Sequence, residues 1–223
     1  MIWGIIALII FAFLALKIVS RKLKWSTIDK LIRKLHVPLG VLILLIIAIH
    51  IIVTFHVWAT RNIIVVGSGI GAAILLILMA AEYVGRNKLG KRWMVLHRYG
   101  AVLLALFIAA HIMVYYVDFF AYKNKIAAID ITGISASEVQ DGFYQGEYDA
   151  GYIYAKVEVT VKNGRITDIN ILKHDNERGT PAEVIVGSII EQQNTKVDAI
   201  SGATNSSRVI EKAVEDAIEN AVR

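Results

Sequence analysis

The sequence carries six histidines, and four of them stand at matching places in two long apolar runs. One run reads Leu35-His36 and then Ala48-Ile49-His50-Ile51; the other reads Leu96-His97 and then Ala109-Ala110-His111-Ile112. The members of each pair are 14 residues apart, and a glycine follows the first of each, Gly40 and Gly100. On an α-helix that spacing leaves the second histidine about 40° from the first and about 21 Å along the axis. Both therefore face one side of their helix, within a hydrocarbon core of roughly 30 Å. Ionisable groups at that depth are costly and usually functional. Two imidazoles opposed across a gap between helices are the donor set of a bis-histidine haem, whose axial ligands help set the iron potential. The pattern predicts haem b, two per chain: His36 opposite His97, and His50 opposite His111. Histidines hydrogen-bonded between helices are the plainer alternative, and the duplicated spacing argues against it. His56 lies about 240° round the helix from His50 and reads as an interfacial residue near Trp58.

A second grouping is Asp198-Ala-Ile-Ser201-Gly202-Ala203-Thr204, followed by Asn205-Ser206-Ser207. Small residues let backbone approach a ligand closely. A helix start offers free N–H groups and a dipole that favour phosphate. Ser206 and Ser207 are candidate helix caps, and the Thr204 hydroxyl lies where a bound phosphate would sit. On physical grounds alone, an anion site and a plain capped turn both remain open here.

These residues need elements to position them. Four apolar runs, at 2–19, 37–58, 63–81 and 95–117, are each near the roughly 20 residues that span a bilayer. The first lacks a basic start and a small-residue cleavage site, and so reads as a helix rather than a signal peptide. Up to Val117 there are 13 Lys and Arg against two acids, Asp29 and Glu82; beyond it there are 11 against 17. The basic balance therefore belongs to membrane loops and gives no reason to expect nucleic acid. The first loop carries six Lys and Arg, the third five, and the second Arg61 alone. By the positive-inside rule, loops one and three are cytoplasmic, and both termini lie outside. The two histidine helices then run parallel. The absence of cysteine excludes disulfides, Cys-ligated zinc and Cys-ligated iron–sulfur clusters.

After a polar linker at 118–138, the sequence changes to soluble-domain patterning. Residues 154–161 alternate like a half-buried strand, Asn163-Gly164 signals a hairpin, and 165–173 alternate again with Ile166, Ile169 and Ile171 as the apolar set. Residues 183–193 read as a helix. Residues 207–222 read as an amphipathic helix with Val209, Ile210, Ala213, Val214, Ala217, Ile218 and Ala221 in one stripe. The expected fold is an all-α four-helix transmembrane bundle (1–117) followed by an α+β extracytoplasmic domain (139–223). Gly67-Ser-Gly69-Ile-Gly71 lies inside an apolar run, so it reads as helix packing rather than a dinucleotide loop.

Two resemblances sharpen this. Residues 30–117, with paired histidines and Leu96-His97-Arg98, resemble ferric-reductase-like and related cytochrome b membrane domains. Those families often have six helices against four here, and a homodimer would supply further walls. Asp198-x-x-Ser201-Gly202-Ala203-Thr204 resembles the flavinylation motif of the FMN-binding domain in the C subunit of the sodium-pumping NADH:quinone reductase and the G subunit of the Rnf complex. The likeness continues through Asp141-Gly142-x-Tyr144-x-Gly146, Gly151-Tyr152, Gly164-x-Ile166 and His174-x-x-Glu177-x-Gly179. It implies FMN joined to Thr204 as a phosphoester by a flavin transferase, with Asp198, Ser201, Gly202 and Ala203 forming the motif. It also implies a bacterial cytoplasmic membrane. Glu177 and Thr180 become candidates for the flavin pocket. His174 either touches the flavin or merely ends a strand. Tyr144, Tyr148, Tyr152 and Tyr154 read as strand packing.

The expected function is transmembrane electron transfer from a quinol or cytoplasmic-side donor, through haem b to FMN, and on to an extracytoplasmic acceptor. The cofactors supply the redox chemistry and the protein supplies position and electrostatics. A haem-free tethered flavin carrier fed by a larger complex fits the same residues, and so does a terminal ferric or quinone reductase.

Overall fold

The computed structural model describes residues 2–222. It comprises two compact units, Met1–Tyr115 and Tyr116–Arg223.

The first unit contains α1 (Ile2–Lys22), α2 (Ser26–Thr54, continued by a 3-10 turn to Thr60), α3 (Ile63–Val84), a short α4 (Arg86–Leu89) and the first part of α5 (Arg92–Ala128). Four of these helices are long and apolar enough to cross a membrane. Helices suit that solvent because each satisfies its own backbone hydrogen bonds. Large apolar side chains such as Ile52, Ile63 and Val84 stay exposed, the pattern of a surface covered by lipid. α1 and α2 pack along one another, whereas α2 and α5 have no extended backbone contact. α2 starts well before the apolar run expected from residue 37. Its basic first turns are supported by an Arg33–Asp29 ion pair at 2.7 Å, one turn apart.

α5 runs for 37 residues, about 55 Å at 1.5 Å per residue. The first part of the stretch read as a polar linker is thus helical. Packing explains it: Ile126 is buried in the second unit's core and Tyr122 packs against that core. Tertiary burial of one face carries a helix past where sequence hydropathy would end it.

The second unit is built on an antiparallel sheet in the order β1 (Gly142–Asp149), β2 (Tyr154–Lys162), β3 (Arg165–Asp175). Asn163 and Gly164 join β2 to β3 with φ of 52° and 70°, the left-handed pair that a tight hairpin demands. Ile166 is out of step with Ile169 and Ile171, and the register shows why. Val161 pairs with Ile166 and Thr160 with Asp168, so Thr167 is an extra bulge residue that resets the alternation. One sheet face, carrying Ala155, Val157, Val159 and Val161, is fully buried beneath α7 (Thr204–Val222). The α7 stripe from Val209 to Ile218 is buried as its periodicity predicts. A 3-10 turn (Thr180–Val184) and α6 (Ile185–Gln192) close the core.

Candidate functional site

Thr204 is the first residue of α7 and is exposed. The preceding loop turns at Gly202, whose φ of 79° suits glycine. Ser207 holds that loop: its Oγ accepts from the Ile200 N–H at 3.0 Å and donates to the Ala203 carbonyl at 3.2 Å. One turn further on, Glu211 Oε1 accepts from the Val197 N–H at 3.0 Å. The two serines proposed as caps therefore lie inside the first turn, because the helix begins at Thr204. Both are buried, whereas Ser201 and Thr204 are exposed. Of the motif's hydroxyls, these last two face solvent. Asp198 and Gly202 are also exposed, and Ala203 is buried.

Thr204 borders a cleft of about 230 Å³ whose other lining residues include Lys196, Arg208, Glu211 and Asp130. Arg208 stands one turn beyond Thr204 and donates to the Ile129 carbonyl. Burial raises the pKa of Glu211, partly offset by the bond from Val197. Sequence reading missed Lys196 and Arg208; the four-residue spacing from Thr204 to Arg208 was the available signal. It also missed Asn205, whose Nδ2 donates to the Tyr122 hydroxyl at 2.9 Å. Tyr122 in turn stacks on buried Tyr152, ring centroids 4.8 Å apart and planes 15° apart.

His174 lies near the end of β3 with its side chain 2% exposed. Its Nδ1 is 2.9 Å from Glu183 Oε1. The same Nδ1 lies 3.2 Å from Asn176 Nδ2. Asn176 accepts from the Gly179 N–H at 2.7 Å and donates to the His174 carbonyl at 3.3 Å. The His174 Nε2 and the Ser206 Oγ are buried without a hydrogen-bond partner. Gly179 is pressed so closely on Ser206 that a Cβ would fall on its Oγ. The turn at 176–180 thus abuts the first turn of α7, with Glu177 and Thr180 exposed on it.

In the membrane unit, the His36 and His97 rings lie 5.8 Å apart between centroids, inclined by 69°. Two imidazoles sharing one metal, each about 2 Å from it, would have centroids roughly 6 Å apart. The His50 ring stands against Gly4 of α1, and the His111 ring against Gly69 of α3. The Nδ1 atoms of His36, His50 and His97 are buried with no hydrogen-bond partner. His111 differs, since its Nδ1 lies 3.0 Å from the Val65 carbonyl of α3. No cluster of three or more His, Cys, Asp or Glu side chains forms among the described residues. A haem iron draws only two axial ligands from protein. His56 is exposed on the 3-10 turn after α2.

Residues 151–219 match the family model described as the FMN-binding domain. That match supports FMN as a ligand and a flavin-carrying electron-transfer role. An uncharacterized protein of Treponema pallidum (strain Nichols) is 26% identical over 102 residues, covering 44% of this chain and 28% of the relative. The chain therefore matches less than a third of that relative's length. No solved structure matches the chain.

Proposed function

We propose that this chain conducts electrons across a bacterial cytoplasmic membrane between b-type haems and an FMN esterified to Thr204. The observation that carries the reading is Thr204 itself: an exposed hydroxyl at the start of α7, inside the stretch that matches the FMN-binding domain. Haem supplies one-electron transfer when bound, and FMN exchanges one- with two-electron chemistry. The chain's own residues bind and orient. Thr204 offers its Oγ to the phosphate, and Lys196 and Arg208 are the cationic groups of an adjoining cleft that Asp130 and Glu211 also line. At about 230 Å³ that cleft is below the roughly 300–1,000 Å³ of a full ligand pocket. It suits the phosphate end of FMN, with the ring outside it and open to an extracytoplasmic acceptor. His174, held by Glu183 and the 176–180 turn, together with Glu177 and Thr180, forms the flavin side of that turn. His36 with His97, and His50 with His111, would hold the two haems, which a quinol or cytoplasmic-side donor would reduce.

The test reads both cofactors in the purified full chain, made with a flavin transferase and ample haem. Flavin fluorescence should survive a denaturing gel and vanish in Thr204→Ala. The dithionite-reduced spectrum should show two haems per chain. Fluorescence that persists in Thr204→Ala would move the attachment elsewhere. A protein with covalent flavin and no haem would be a tethered flavin carrier instead.

A further inference from the structure

Of the four paired histidines, His111 is held differently from the rest. Its Nδ1 lies 3.0 Å from the Val65 carbonyl of α3. A carbonyl only accepts, so Nδ1 carries the proton and Nε2 keeps a lone pair. That tautomer leaves Nε2 able to ligate a metal, and the bond on the opposite nitrogen fixes the ring's orientation. Ser68 Oγ sits 3.3 Å from the same Nδ1 and donates to the Val65 carbonyl at 3.0 Å.

The ring reaches this carbonyl because residue 69 is glycine. A Cβ there would stand 3.0 Å from His111 Cε1 and 3.2 Å from Nδ1, too close for ordinary contact. Two residues earlier on α3, a Cβ at Gly67 would meet open space. The glycines of the Gly67-Ser-Gly69-Ile-Gly71 run therefore have separate duties, since Gly71 faces Phe107. On α1, Gly4 stands against the His50 ring in a looser version of the same contact, 3.4 Å to Cε1. The first histidine of each pair has no such seat from its following glycine: Gly40 faces open space and Gly100 faces Met79.

We infer that α3 positions the outer iron ligand: Gly69 seats the His111 ring, and the Val65 carbonyl holds it in the tautomer that presents Nε2. Gly69, Ser68 and Val65 are positioning residues, since they act through His111. The inference rests on the haem reading proposed above.

The experiment compares full-length wild type, Gly69→Leu, Gly69→Ala, Gly67→Leu and His111→Ala in detergent. Haem per chain and the midpoint potential of each haem are read; covalent FMN per chain and a monodisperse profile report folding. Gly67→Leu should keep both haems. Gly69→Leu should lose one of two, and the survivor should titrate like the haem left in His111→Ala. Gly69→Ala, the milder change, should shift the outer potential alone, and it decides the matter if Gly69→Leu aggregates. Two haems at wild-type potentials in both Gly69 variants would overturn the inference and leave the haem reading standing. A haem-free wild type would overturn the haem reading and the inference with it.

Discussion

Gly146 shows how much a single hydrogen can decide. It lies on β1 where the strand crosses α7, and a Cβ there would fall on the backbone of Ala213 and Ala217. Backbone cannot rotate out of the way, so Gly146→Ala must push the strand off the helix. Overpacking of this kind costs about 1–3 kcal/mol. Gly187→Ala is the natural comparison: its Cβ meets nothing, and it sits inside α6. Glycine costs a helix interior about 1 kcal/mol relative to alanine, so that change should stabilise. Urea unfolding of the two variants should give shifts of opposite sign. Gly179 is intermediate, because its obstacle is the Ser206 side chain, which can turn.

At the scale of elements, the polar joints of α7 set how the 129–134 stretch is held. Glu215 has a fully buried side chain, and it accepts from the Thr132 N–H at 2.8 Å and Oγ1 at 2.7 Å and pairs with Lys212. Burial pushes its pKa up, but the bonds from Lys212 and Thr132 outweigh that and hold it below the usual glutamate range. On Lys212, burial works against the charge, and Glu215 more than reverses it. A carboxyl whose folded pKa is depressed stabilises above its unfolded pKa, and that share is lost as pH falls through the folded value. Removing the carboxylate leaves the Thr132 N–H without its acceptor, at a cost of about 1–3 kcal/mol. Glu215→Ala should therefore lower the melting temperature at neutral pH and speed hydrogen exchange at Thr132. Glu215→Gln should sit between the two, its gap from wild type closing in acid. A pH-independent gap would mean the charge on Glu215 contributes nothing.

Much of this architecture was legible in the chain because its signals are local. The Asn163-Gly164 hairpin, the α7 stripe and the apolar runs each depend on neighbours a few residues apart. What escaped depends on partners distant in sequence. The helical start of the 118–138 stretch comes from burial of Ile126 in the second core. The bulge at Thr167 follows from strand register, and the Val65 carbonyl beneath His111 from a helix crossing. The Thr204 motif was readable as consecutive residues, whereas Lys196 joins it only through the folded loop.

For the whole molecule, direction across the membrane decides what the flavin can reach. The first and third loops carry six and five basic residues against one in the second, a bias from which the positive-inside rule predicts a cytoplasmic side for both. On that reading the four spans would put the FMN-binding domain on the far side. The absence of cysteine makes this simple to measure, because any introduced thiol is the only one. Lys88→Cys lies in the third loop, and Lys162→Cys at the exposed end of β2. With a membrane-impermeant maleimide, Lys162→Cys should label in intact cells and Lys88→Cys only after permeabilisation. The reverse pattern would place Thr204 in the cytoplasm. Electrons arriving at the flavin would then remain on the donor's side, and two histidine pairs stacked along parallel helices would have no external acceptor to serve.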